Sequence, residues 1–286
     1  MVLACDMMTL QNTIILGDGY IGSAYTAEGY TGIGRKDWEY IPGYFSTLIP
    51  YIDPYDYIIN CIGYTDTKWS EDDRNFKKLW YTNAVFVQEL AEFCAKRNKK
   101  LIHLSTTDLY GNGHDFAKNT EDRKDLDVGT NYRYSKYAAE RFCDLNRDLI
   151  LRIRLPFDGR QHPKNLLVKA QKYTKFYQFT TDYTYVPDLI AASSVLSEQV
   201  GIFNVVSHED DTLLNLMKNI LMLPQFQHID PYNENDPNII RDINDIHVHN
   251  TCNDTKLWNL YKSTNLHAAA IISYNKLTSI IDKPSM

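Results

Sequence analysis

No stretch of this 286-residue chain approaches the ~20 consecutive apolar residues that span a bilayer, and no membrane partner is expected. No CxxC pair occurs among the five cysteines, Cys5, Cys61, Cys94, Cys143 and Cys252, and an odd count leaves at least one thiol unpaired. That pattern disfavours a disulfide framework and makes a reducing, cytoplasmic setting the simplest account. Positive charge is in short supply: 30 Lys and Arg stand against 36 Asp and Glu, a net charge of −6, which argues against nucleic acid or anionic lipid as a partner. No Lys or Arg precedes Arg35 and Asp6 breaks the first apolar run, a poor match to a secretory or mitochondrial leader. GxSxG, HExxH and Walker motifs are missing. His247 and His249 in IHVHN would share one strand face, but no carboxylate cage accompanies them and no metal is expected.

What is there suits a globular fold. Apolar residues make up 44% and charged residues 23%, enough to build a core, and the length fits one large domain or a domain with a smaller lobe. The first half alternates β-like runs with helical patterns, the sign of a parallel sheet covered by helices. Strands are expected at Thr13 to Leu16, Tyr57 to Ile62, Lys100 to Leu104 and Leu149 to Ile153. Val87, Leu90, Ala91 and Cys94 recur at helical spacing, predicting an amphipathic helix over 84–96 that ends on the basic run KRNKK. Ser70 with Asp73 reads as a capping box opening a helix. Beyond residue 156 the alternation weakens, which sets a boundary between a dinucleotide-binding domain, 1–156, and a smaller lobe, 157–286, with some segments returning to the sheet. In that second part Val186-Pro-Asp-Leu starts a helix, Phe203 to Val206 forms a strand, and Thr212 caps a helix through Leu213, Leu216, Met217 and Ile220. Residues 225–256 are Asn/Asp-rich and read as long loops.

Three groups of residues carry chemistry. Gly17, Gly19 and Gly22 form GxGxxG between the first strand and a helical segment. Glycine there permits a tight turn and close approach of backbone to a pyrophosphate, whose charge the free N–H groups and helix end would hold. About 20 residues on, where an acidic side chain would bind the ribose of NAD, stand Arg35 and Lys36. Two cations at that place suit the 2′-phosphate of NADP, while Asp37 beside them keeps NAD open. Finally, Tyr132 and Lys136 lie four apart in NYRYSKYAAE, one helical turn, so both share a face. A neighbouring ammonium favours tyrosinate and pulls the phenol from ~10 toward working pH, making it a usable acid or base. The decoy Tyr134 has Ala138 at the same spacing.

Together these pieces resemble the extended short-chain dehydrogenase/reductase superfamily, through about residue 222. NCIGYTDTKWSEDD, YTNAVFVQELAEFCAKRNKKLIHLSTTDLYG, YTYVPDL and GIFNVVS are similar, in order, to segments of that superfamily, and within it the first leans toward the dTDP-4-dehydrorhamnose reductases. The resemblance implies a Rossmann-type doubly wound α/β sheet with a substrate-binding lobe, a nicotinamide cofactor, and a nucleotide-sugar as partner; it also leaves room for a homodimer. It implies that Thr106 hydrogen-bonds the reacting sugar oxygen, that Tyr132 is the acid/base and that Lys136 orients the nicotinamide ribose. Gly17, Gly19, Tyr20, Ile21, Gly22, Arg35, Lys36, Cys61, Ile62 and Gly63 would then line the cofactor. Thr65, Thr107, Asp108, Phe157 and Arg160 would touch the substrate. Nucleotide-sugar dehydratases of the superfamily carry Thr-Asp-Glu where this chain has Thr106-Thr107-Asp108, so the acid that expels a hydroxyl is missing and dehydration is disfavoured. Reduction of a 4-keto-6-deoxy sugar needs only the Thr, Tyr and Lys. The alternatives are an NAD-dependent nucleotide-sugar 4-epimerase, which uses the same triad, and a non-catalytic regulatory subunit of the same fold. The glycine loop also departs from the family's GxxGxxG by one residue.

Overall fold

A computed structural model describes residues 7–111, 119–173, 175–176, 180–220, 230–231, 252 and 254–281. Along the chain run β1 (Thr13–Leu16), α1 (Gly22–Ala27), β2 (Thr31–Ile33), α2 (Ile49–Ile52), β3 (Tyr57–Asn60), α3 (Thr67–Ser70), α4 (Asp73–Trp80), α5 (Phe86–Arg97) and β4 (Lys100–Thr106). There follow α6 (Asn131–Phe142), β5 (Leu149–Ile153), α7 (Leu166–Ala170), β6 (Lys175–Phe176), β7 (Thr180–Thr181), α8 (Val186–Val195) and β8 (Gly201–Asn204). The last described elements are β9 (Asp211–Thr212), α9 (Leu213–Ile220), β10 (Asp230–Pro231), α10 (Thr255–Trp258) and α11 (Leu266–Ile281). None of the described helices is long and apolar enough to cross a membrane.

Six strands form one sheet in the order β2-β1-β3-β4-β5-β8, flanked by helices, and β2, β1, β3 and β4 pair in parallel. The Rossmann-type α/β expectation is met. Every residue of β1 and β3 is buried, as strands covered on both faces must be, and this is why Ile14 to Leu16 and Tyr57 to Ile59 do not alternate with polar residues. The strand order reverses about β1: its first neighbour in sequence, β2, lies on one side and β3 on the other. At such a switch point the connections leave the strand ends in opposite directions and open a crevice there.

The amphipathic helix expected over 84–96 is α5, with Val87, Leu90, Ala91 and Cys94 facing the core. It stops where Asn98 takes a left-handed conformation, φ +53°, with Lys96 and Arg97 in the last turn against the negative helix end. Ser70 is no cap. Asp66 caps α3 by accepting Trp69 N–H at 3.0 Å, Asp72 caps α4 by accepting Arg74 N–H at 3.0 Å, and Ser70 closes α3 by donating to Asp66 O at 2.7 Å. A carboxylate at each start outcompetes the hydroxyl because it accepts more strongly near the positive helix end. β3 ends two residues early, at Asn60, and β4 runs two residues past Leu104 to Thr106. The strand expected at Phe203 to Val206 lies earlier, at Gly201–Asn204. Thr212 does cap α9, accepting Asn215 N–H at 3.0 Å. Most of the expected loop over 225–256, with His247 and His249, lies outside the described residues.

By contacts the chain divides into two units: 1–109, 126–152 and 190–203 form one, and 110–125, 153–189 and 204–286 the other. The first has a core of Ile14, Leu16, Ile58, Phe86, Val87, Leu90, Leu101 and Ile150 around the sheet. The second has its own, built on Phe157, Leu167, Tyr183, Leu216 and Leu277. Among the described residues Cys61, Cys94, Cys143 and Cys252 form no disulfide.

Candidate active site

The first unit gathers the glycine turn, the ends of β3 and β4 and the start of α6. Gly17 closes β1 with φ +102°, a conformation that side chains rarely adopt, and donates to Ile33 O at 2.8 Å. A Cβ at Gly22 would stand 1.8 Å from Gly17 O, so no other residue fits there without opening the turn. At Gly19 an added Cβ would meet nothing within 4 Å. The turn is therefore shut on its protein side and open at Gly19. Tyr20 is buried beside it. Gly17 packs on the segment after β3: a Cβ on it would come within 3.2 Å of Cys61 C and 3.1 Å of Ile62. Burial pushes the Cys61 thiol up, and the charge of Lys136 pulls the other way. Ile21, Gly63 and Thr65 belong to the same two stretches.

Arg35 and Lys36 are exposed in the turn after β2 and share an open cleft with Asp18. Asp37, also exposed, closes the turn: its Oδ2 accepts Gly34 N–H at 2.9 Å.

Thr106 ends β4 and is buried; its Oγ1 accepts Asp108 N–H at 3.1 Å. A hydroxyl that accepts still has its own proton to donate. Thr107 and Asp108 open the 3₁₀ turn Thr107–Tyr110, Thr107 fully buried and Asp108 half-buried. Helix α6 begins where Thr130 accepts Arg133 N–H at 3.1 Å, which places Tyr132 and Lys136 on successive turns, both buried. Lys136 Nζ donates to Leu104 O at 2.7 Å, two residues before Thr106. Burial, partly offset by Glu140, Cys143 and Cys61, pushes Lys136 down to about 8. Thr106, Tyr132 and Lys136 thus come from two adjoining elements at one end of the sheet.

Two residues the motifs did not flag tie this arrangement together. Asn83 lies in a π-helical turn, Tyr81–Val85, and is buried. It accepts Tyr64 N–H at 2.8 Å, donates to Tyr64 O at 3.0 Å and donates to Ser135 Oγ at 3.1 Å, while Ser135 donates to Tyr132 O at 2.8 Å. The loop after β3 is thereby locked to the turn that carries Tyr132, and an extra residue in a helix is a common way to aim one such side chain. His103, buried in β4, stands 3.3 Å from Lys136 Nζ. Both were detectable: an amide on the apolar face of a helix and an imidazole in a strand buried on both sides must find partners, and such partners are few.

Phe157 and Arg160 lie in the second unit. Phe157 has no exposed surface, packs in that unit's core and lies tilted against Tyr185 with ring centroids 5.5 Å apart, so it is left out of the proposed site. Arg160 Nε bonds Asp158 Oδ2 at 2.6 Å.

The sequence pattern of the NAD dependent epimerase/dehydratase family matches residues 45–148. Comparison with curated proteins finds no match. Among solved structures the chain is similar to the UDP-rhamnose synthase of Acanthamoeba polyphaga mimivirus (19% identity, 92% of this chain and 99% of that one, TM-score 0.75). It is similar to the UDP-glucuronic acid 4-epimerase of Bacillus cereus in complex with NAD (16%, 94% and 99%, TM-score 0.70). It is also similar to the dTDP-4-dehydrorhamnose reductase of Bacillus anthracis in complex with NADP (15%, 93% and 99%, TM-score 0.73). The chain has the Rossmann-type fold of these structures and, over 45–148, the sequence pattern of the NAD dependent epimerase/dehydratase family.

Proposed function

We propose that this protein is an NAD(P)-dependent enzyme of that type which reduces a nucleotide-linked 4-keto-6-deoxy sugar with NADPH, residues 1–156 serving the cofactor and 157–286 the sugar. The observation that carries the reading is Lys136. It is buried, fastened to Leu104 O next to Thr106 and one helical turn from Tyr132. Burying an amine costs stability that an apolar residue would not cost, and an ammonium one helical turn from a phenol suits proton transfer to a carbonyl.

The residues fit a dinucleotide. The turn forbids a side chain at Gly22 while leaving Gly19 open, which suits a pyrophosphate lying against the backbone. Arg35 and Lys36 outnumber Asp18 in their cleft, a balance that favours the 2′-phosphate of NADP over a bare ribose. When bound, the cofactor supplies the hydride. Tyr132 then gives its proton to the carbonyl oxygen, Thr106 donates a hydrogen bond to the same oxygen, and the Lys136 ammonium stabilises the tyrosinate left behind. Thr107 and Asp108 would meet the sugar beside them, with Thr65 as a further contact.

The neighbours that act on nucleotide-sugars support the substrate class, and Thr107, where the dehydratases carry the first of two acids, supports reduction over dehydration. The test is to mix the protein with NADPH and a panel of dTDP- and UDP-linked 4-keto-6-deoxy sugars. Loss of NADPH absorbance matched by reduced sugar is expected. Co-purifying NAD with sugar inversion and no NADPH loss would make it an epimerase, and neither activity would leave a binding subunit.

A further inference from the structure

His103 and Lys136 meet in a way that leaves one hydrogen too many. On one side of the ring, Nδ1 lies 3.2 Å from Asn60 Nδ2. The orientation of that amide is set independently, because Asn60 Oδ1 accepts Ile62 N–H at 3.0 Å. An amide nitrogen only donates, so Nδ1 must accept, and the single proton of a neutral imidazole falls on Nε2. Nε2 in turn stands 3.3 Å from Lys136 Nζ. An ammonium has three donors and no lone pair. Against it, Nε2–H is a donor facing a donor. Against the amine, the same Nε2–H finds an acceptor, and Nζ keeps hydrogens for Leu104 O.

We infer that His103 is a positioning residue which, held by Asn60, presents Nε2–H to Lys136 and favours its amine over its ammonium, setting the pH at which this lysine exchanges its proton. A doubly protonated ring offers no escape, since it would turn a second donor on Asn60. Burial, and then the charge of Lys136, keep His103 well below its ordinary value, so the ring stays neutral. The other titratable groups acting on Lys136 are Glu140 from α6, Cys143 just past its end and Cys61 from the segment after β3. Both thiols are pushed up by burial and stay protonated, and Glu140 is paired with Arg152. His103 is the neighbour whose identity tips the balance. The catalytic consequence rests on the function proposed above: the amine cannot stabilise a tyrosinate, so the alkaline limb of turnover would follow Lys136.

The test labels the lysines with ¹³Cε and ¹⁵Nζ and titrates the full-length protein by NMR without substrate, the Lys136 signal being the one lost in Lys136→Arg. In His103→Phe, which keeps a ring and removes the N–H, the Lys136 midpoint is expected to rise by about one pH unit or more. His103→Met also removes the N–H and should raise it too; if the Phe variant does not fold, the Met variant decides. A midpoint unchanged or lowered overturns the inference. The alkaline limb of kcat should move up by the same amount, whereas a merely structural role would lower kcat without moving the limb. A wild type without turnover would sink the proposed function alone, because the NMR midpoints need no activity.

Discussion

Glu140 and Arg152 form a two-pronged ion pair inside the first unit, Nε to Oε1 at 2.9 Å and Nη2 to Oε2 at 2.7 Å, with 5% and 1% of the respective side chains exposed. It fastens α6, the helix of Tyr132 and Lys136, to β5. Desolvating two charges costs as much as their attraction returns, but removing one partner strands the other in a dry interior. Glu140→Gln should therefore lose about 3 to 5 kcal/mol in urea unfolding, while the double change Glu140→Leu with Arg152→Met should lose far less. Equal losses would show that the pair does not act as a unit.

Lys136 should make the protein more stable in alkali. Its folded value of about 8 lies below the ordinary 10.5, so between those values the unfolded chain holds a proton that the folded chain has released. Stability rises with pH wherever the unfolded state binds more protons. The penalty is full below pH 8 and fades as pH climbs toward 10.5. Measured against Lys136→Met, which has no such group, the wild type should gain about 2 kcal/mol between pH 7.5 and 10. A flat difference would mean that Lys136 titrates normally.

The two glycines of the turn should separate folding from binding. Gly22→Ala places a methyl 1.8 Å from Gly17 O and should lower the melting temperature and abolish cofactor binding together. Gly19→Ala meets no protein atom within 4 Å and should leave melting unchanged while weakening NADPH binding tenfold or so, the ~1.4 kcal/mol of one impaired phosphate contact. Unchanged affinity in Gly19→Ala would move the pyrophosphate elsewhere.

Arg35→Ala should reduce affinity for NADPH and leave NADH nearly untouched, since only the former carries the 2′-phosphate. Fluorescence titration with both cofactors checks this. An equal loss for both, or for neither, removes Arg35 from cofactor choice.

Tyr132→Phe should cut turnover by ~10² or more with cofactor affinity nearly intact, because the hydroxyl is spent on proton transfer. Steady-state kinetics beside direct NADPH binding make the distinction. Undiminished turnover would assign the proton to another group.

The elements of the first unit were legible because its strands and helices obey local rules: Ile14 to Leu16 is an unbroken apolar run, and Val87, Leu90, Ala91 and Cys94 keep helical spacing. The glycine turn and the Tyr132–Lys136 pair were legible for the same reason, since both depend on spacing within a few residues. Helix starts were less so. Ser70, Asp72 and Asp66 all have side chains suited to capping, and which one does it depends on where the chain bends.

Distance along the chain is what hid the rest. Asn83 meets Tyr64 and Ser135, and His103 meets Asn60 and Lys136, across separations of 19 to 52 residues that no periodicity encodes. Sequence alone determined which residues could do chemistry here, a phenol, an amine, a hydroxyl and a glycine turn. Tertiary structure decided what surrounds them: a parallel sheet stacks distant strand ends side by side, and only there do burial and a neighbouring imidazole act on the lysine.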